Sequence, residues 1–176
     1  MPLRPGRCYR YLDTPPYTRT EYIDGAPQPK ITKFDMGSPG KQFSVQIDLI
    51  SEERGLIRHN ALEAARVMAN KYLSTTIKDE NYHLRVVKYP HHIIRENKML
   101  AMAGADRLQE GMRRAFGKPT GRAAIVNTND VIMTIWTEPQ FIDAAKEAFR
   151  RASAKIPMPC SIVIKNIKNV KSEKAS

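Results

Sequence analysis

FSVQIDLI, residues 43–50, alternates apolar and polar side chains, with Phe43, Val45, Ile47 and Leu49 on one face. Successive side chains of a strand point to opposite faces, so this pattern reads as a half-buried strand. SEERG (51–55) follows as a loop. From Ala61 to Ile77 the period lengthens: Leu62, Ala65, Met68 or Ala69, and Tyr72–Leu73 recur at helical spacing, leaving Arg66 and Lys71 outward. Asn60 suits the N-cap, and Glu63 three residues later completes a box-like start. A strand and a helix that each carry one apolar face need a shared layer in which to bury it.

Downstream, the same grammar repeats. YHLRVVKY (82–89) places Tyr82, Leu84 and Val86 on one side of a second strand, which Pro90 ends. Ala123–Val126 and Val131–Thr137 read as a strand pair across the polar cluster Asn127-Thr128-Asn129-Asp130. Trp136, at an apolar strand position, is expected to face the core. Thr137 is the expected cap of a second helix, with Pro139 in its first turn where no amide partner is lost. Phe141–Ile142, Ala145, Ala148–Phe149 and Ala152 form that helix's apolar stripe, while Lys146, Arg150, Arg151 and Lys155 are left for solvent or phosphate. Ile156-Pro157-Met158-Pro159 breaks it, and Ser161–Ile164 supplies a closing strand. The expected fold class is therefore α+β, a mixed, largely antiparallel sheet with two packing helices. The expected organisation is an extended basic arm over 1–42, one α+β domain over 43–165 with a long internal loop at 95–122, and a basic tail over 166–176.

The chain has 29 Lys and Arg against 18 Asp and Glu, a formal net charge of +11. Such an excess points to a polyanionic partner, because cations that neutralise phosphates release condensed counterions. The hydrophobic fraction of 41% is too high for wholesale disorder and supplies a core for a domain of this length. Cys8 and Cys160 stand alone, outside any CxxC spacing, so neither a disulfide framework nor a zinc site is expected and a reducing, cytoplasmic setting is the default. The N-terminus lacks the apolar core of a signal peptide, and no apolar run is long enough for a membrane helix.

In the arm, seven prolines block regular structure and alternate with cations and aromatics: Arg4, Arg7, Arg10, Arg19, Lys30, Lys33 and Lys41, and Tyr9, Tyr11, Tyr17, Tyr22 and Phe34. Two readings stand side by side. Arginines can pair with phosphates while tyrosines stack on unpaired bases, or the arm packs on its own domain with the tyrosines as plugs.

No catalytic constellation emerges. His91–His92 point to opposite faces of an extended chain and have no third ligand at metal spacing. Gly117-Lys118 resembles the end of a phosphate-binding loop, but Pro119 takes the Ser/Thr position and Gly111 stands one residue too far upstream. Glu52–Glu53 and Asp79–Glu80 read as solvated loop carboxylates, and neither cysteine has an activating base nearby. No enzyme activity, metal or other cofactor is expected.

What remains is His91–Ala124, HHIIRENKMLAMAGADRLQEGMRRAFGKPTGRAA. After Ile93–Ile94 strand periodicity stops, and Arg95, Lys98, Arg107, Arg113, Arg114, Lys118 and Arg122 outnumber Glu96, Asp106 and Glu110. Gly104, Gly111, Gly117 and Gly121 let the main chain approach a ligand closely. Met99–Ala103 is apolar without an evident place in the core. An insert this long inside a compact domain is a functional loop or a disordered one.

GADRLQEGMRRAFGKPTGRAA, preceded by HHIIRENKML, resembles the signature of an archaeal and eukaryotic large-subunit ribosomal protein family, the L-ten-e branch of universal large-subunit protein sixteen. RPGRCYRYLDTPPYTRTEYIDGAPQPKITKFDMG, ALEAARVMANKY and VIMTIWT are similar to the same family, so the resemblance covers nearly the whole chain. It implies a β-hammerhead-like α+β domain that binds large-subunit rRNA near the 5S rRNA region and the central protuberance, beside neighbouring ribosomal proteins and away from any membrane. It also implies that the loop Met99–Gly111 extends toward the peptidyl-transferase centre and the tRNA acceptor arm. The expected RNA-binding residues are Arg4, Arg7, Arg10 and Arg19 in the arm, and Arg95, Lys98, Arg107, Arg113, Arg114, Lys118 and Arg122 in the insert. Two alternatives stay open at this level: an RNA-processing enzyme that uses the insert as a clamp, and a non-ribosomal RNA-binding module.

Overall fold

Among the described residues, eight strands divide between two antiparallel sheets, and two helices cover one face of the larger. The computed structural model describes residues 4–10, 22–97 and 115–167. In chain order the elements are β1 (Asp35–Gly37), β2 (Val45–Ser51), β3 (Gly55–Arg58), α1 (His59–Thr76), β4 (Tyr82–Val86), β5 (His92–Glu96), β6 (Lys118–Val126), β7 (Val131–Thr137), α2 (Ile142–Ser153) and β8 (Cys160–Asn166). The five-stranded sheet runs β1-β4-β7-β2-β8 and the three-stranded sheet β3-β6-β5. The α+β class with two packing helices is the one expected, but the strands expected in one mixed, largely antiparallel sheet divide between two antiparallel sheets.

Alternation builds the core. Val45, Ile47 and Leu49 of β2 stand opposite Thr137, Ile135 and Met133 of β7, and Tyr82, Leu84 and Val86 of β4 continue the same row. Leu62, Ala65, Ala69 and Leu73 of α1 and Ala145, Ala148, Phe149 and Ala152 of α2 bury against that row. Small alanines on both helices let them approach the sheet and each other closely. The Arg151 guanidinium lies 4.1 Å from the Tyr72 ring and bridges α2 to α1.

Several expectations change. β6 and β7 are not a strand pair. β6 joins β3 and β5, whereas β7 is the central strand of the other sheet, so Asn127–Asp130 carries the chain from one sheet to the next. That crossing is pinned by the Asp130 carboxylate, which accepts from Lys88 Nζ at 2.6 Å and from the Asn127 amide at 2.9 Å. The loop SEERG shortens, because Gly55 already starts β3, which runs straight into α1. α1 therefore starts at His59 with Arg58 at its N-cap. Glu63 serves no capping box; its carboxylate accepts from Arg66 at 2.8 Å. Thr137 stays in β7, its hydroxyl donating to the Asn81 carbonyl at 3.1 Å, and a 3₁₀ turn over Pro139–Phe141 precedes α2.

The arm boundary also moves. Ile31 is buried in the core, Phe34 and Met36 pack against it, and β1 is an edge strand of the five-stranded sheet. Prolines on either side disguise this short alternation. Trp136 is half-buried on the face away from the helices, stacked on His83 with ring centroids 4.8 Å apart. On that face Asp48, fully buried, accepts from Thr134 Oγ1 at 2.8 Å, Gln46 Nε2 at 2.8 Å and Lys165 Nζ at 2.9 Å.

Candidate nucleic-acid interface

The three-stranded sheet gathers the cations. β5 and β6 pair through His92↔Ala123, Ile93↔Arg122, Ile94↔Gly121 and Glu96↔Lys118, with an irregularity after Ile94. Arg95 and Lys118–Arg122, expected in a loop, thus belong to strands, and the connection narrows to residues 97–117. Gly117 opens β6 at φ +89°, where a Cβ would come within 2.6 Å of the Glu96 backbone, so only glycine fits.

Residues 4–10 lie against this sheet. A 3₁₀ turn over Gly6–Tyr9 leads to Arg10, which bridges to Gly55 of β3. The Arg10 guanidinium donates to both Glu53 carboxylate oxygens, at 3.0 and 2.8 Å. For this stretch the packing reading of the arm is the one observed, and Tyr9 acts as a plug beneath the Arg58 guanidinium, 5.2 Å from its ring.

Two adjoining cavities open along the sheet. The first, of about 240 Å³, includes Arg4, Tyr9, His92, Arg95, Glu96 and Phe116 in its lining, and Arg95 lies 5.7 Å from the Phe116 ring. Phe116 is 82% exposed, which leaves its ring available for stacking. The second, of about 270 Å³, is lined by Arg4, Lys30, Arg58, His59, Glu96 and Arg122, among others. Among the described residues they form a groove with five permanent cations, Arg4, Lys30, Arg58, Arg95 and Arg122, and one carboxylate, Glu96, which pairs with Arg4 at 3.3 Å.

The way these cations are held matters. Arg122 Nε donates to the Pro27 carbonyl at 2.9 Å, and Arg58 Nη1 donates to the Arg4 carbonyl at 2.8 Å. A neutral carbonyl fixes a guanidinium without cancelling its charge. Elsewhere the pattern differs: Arg66 pairs with Glu63, Lys88 with Asp130, Arg150 and Arg151 with Glu147, and Lys165 with Asp48. His59 registers the resulting field. Burial first, then Lys30, Arg122 and Arg58 in turn, hold its pKa below the usual histidine value.

Of the residues singled out from sequence, Arg4, Arg95 and Arg122 converge on the groove. Lys118 stands at its end, opposite Glu96, exposed to solvent. Arg7 is exposed outside it, and Arg10 is engaged with Glu53. Arg19, Lys98, Arg107, Arg113, Arg114 and the segment Met99–Gly111 lie outside the described residues. Lys30, Arg58 and His59 were missed as site residues. Lys30 was one cation among many in the arm, and Arg58–His59 fell between an assumed loop and an assumed cap. Among the described residues no three His, Cys, Asp or Glu side chains are grouped to hold a metal, and no helix is long and apolar enough to cross a membrane.

Comparison with known proteins meets this geometry. The family described as ribosomal protein L16p/L10e matches residues 12–163. The chain belongs to that family. Among L16p/L10e relatives, a large ribosomal subunit protein uL16 of Staphylothermus marinus is 57% identical over 168 residues, covering 96% of this chain and 97% of the relative. Proteins of the same name from Thermofilum pendens (56%; 93% of this chain, 98% of the relative) and Metallosphaera sedula (53%; 98% and 100%) match over nearly the full length as well. L16p/L10e membership agrees with the resemblance read from the sequence motifs. It sets aside both alternatives, since the chain is a ribosomal protein and not an enzyme.

Proposed function

We propose that the chain is a structural constituent of the large ribosomal subunit in the cytoplasm that fixes large-subunit rRNA by phosphate neutralisation. The observation that carries the phosphate mechanism is the groove, where Arg58 and Arg122 are oriented by carbonyls and keep their charge for a partner. Pre-oriented guanidinium groups suit phosphate oxygens and position a protein on RNA without reading bases. The rRNA-contacting set we propose is Arg4, Arg7, Arg10, Arg19, Arg95, Lys98, Arg107, Arg113, Arg114, Lys118 and Arg122, extended by Lys30 and Arg58. Arg10 can serve only by leaving Glu53.

The finer reading rests on the family motifs. The site lies near the 5S rRNA region and the central protuberance, and Met99–Glu110 reaches toward tRNA at the peptidyl-transferase centre to support its accommodation. Sucrose-gradient sedimentation of ribosomes from cells expressing a tagged chain tests the assignment. Stoichiometric migration with the large subunit is expected, and exclusion from it would overturn the reading. Deleting 99–110 should leave incorporation intact and slow tRNA accommodation; unchanged accommodation would remove the tRNA role.

A further inference from the structure

We propose that the cavity between the start of α1 and β6 seats one backbone phosphate of RNA, and that His59 donates to it as a neutral imidazole. This rests on reading the groove as an RNA interface, and it assigns one ligand group to one place within it.

The tautomer follows from a hydrogen bond. The Lys30 amide donates to His59 Nδ1 at 3.1 Å, so that nitrogen carries a lone pair and the ring proton sits on Nε2. Protonating both nitrogens would break this bond and place a further charge among Lys30, Arg122 and Arg58. The imidazole therefore stays neutral and keeps Nε2–H as its donor. Gly121 leaves the approach open: a Cβ there would stand 3.5 Å from Nε2, in contact with the donor.

The charges facing His59 come from each neighbouring element. Lys30 stands on the segment before β1, Arg58 at the end of β3, Arg122 on β6, Arg4 on the N-terminal segment and Glu96 on β5. The carboxylate is paired with Arg4, and the lining keeps a surplus of positive charge in about 270 Å³ of open volume. A phosphodiester suits this setting. It is a monoanion across the working pH range and accepts without giving up a proton. A neutral Nε2–H donor together with flanking guanidinium groups forms charge-assisted bonds to it.

The test uses the full chain, a short RNA duplex of arbitrary sequence, and three substitutions that leave the permanent charges intact. Gly121→Val fills the space before Nε2; His59→Ala removes the donor; His59→Gln restores an N–H of similar reach. Gly121→Val and His59→Ala should each weaken RNA binding about tenfold, as expected for loss of a hydrogen bond to a charged group. His59→Gln should recover most of that loss. The His59 side-chain ¹⁵N resonances should shift when RNA binds, with Nδ1 remaining the unprotonated nitrogen between pH 6.5 and 8. Inorganic phosphate at matched ionic strength distinguishes the source: a smaller shift than with RNA supports a backbone phosphate, whereas a shift with phosphate and none with RNA would overturn it. Wild-type affinity in Gly121→Val and His59→Ala, with circular dichroism showing both folded, would also overturn the seat. That last result would leave the groove reading standing, because the parent chain would still bind RNA in a salt-dependent manner. Salt-independent binding by the parent would instead remove the groove reading itself.

Discussion

Gly117 and Gly40 make a matched pair at the scale of single residues. A side chain at Gly117 would need both a left-handed backbone and space that the Glu96 and Asn97 backbone already fills, whereas a Cβ at Gly40 meets nothing within 4 Å. Gly117→Ala should therefore cost about 1–3 kcal/mol in chemical denaturation, and Gly40→Ala should stay within about 0.5 kcal/mol of the parent. The histidines set a pH dependence. His59 and His92 both have pKa values held down, in each case by burial first and then by nearby cations. The unfolded chain thus binds more protons just below pH 6.5, so their contribution is present above that value and is lost as pH falls. Urea midpoints should drop between pH 7 and pH 5, and His59→Gln should reduce the drop. The two thiols divide as well. Burial, then the Glu52 charge, pushes the Cys160 thiol up to about 11, while Cys8 is exposed. A thiol reagent at pH 8 should label one cysteine of the native chain and two after unfolding; rapid labelling of both while native would contradict this packing.

Among the elements, those with a long single-period pattern were readable from sequence: β2, α1, β4 and α2 each show one face over two or more turns or repeats. The short or abutting ones were not. β3 has four residues and no turn before α1, so strand and helix signals merge across Arg58–His59. β1 is a three-residue edge strand among prolines. Asn127–Asp130 has the composition of a hairpin turn, yet pairing partners are chosen by tertiary packing. Ser51 decides the matter locally: its amide donates to the Asp130 carbonyl at 3.0 Å and its carbonyl accepts from Asn129 at 2.8 Å, drawing β7 to β2. On the open sheet face, Asp48 ties β2, β7 and β8 together through Thr134 and Lys165. Asp48→Ala should destabilise the chain by about 2–4 kcal/mol in urea unfolding, since three donors lose their acceptor; a change under about 0.5 kcal/mol would show that the network is dispensable.

At the level of the whole molecule, charge was legible and its arrangement was not. Counting cations pointed to a polyanion, and the motifs in 91–124 pointed to the ribosome. Which arginines act together depended on β5 and β6 pairing across the 21 intervening residues, 97–117. The N-terminal segment and Lys30 then close the groove from a distant part of the sequence. Under the proposed function this groove meets rRNA through phosphates. The salt dependence of binding to large-subunit rRNA, for the parent and for Arg58→Ala with Arg122→Ala, tests it most directly. A steep linear fall of log K with log salt is predicted for the parent, shallower by about 1–2 in slope for the double variant. A flat response, or identical slopes for parent and variant, would contradict it.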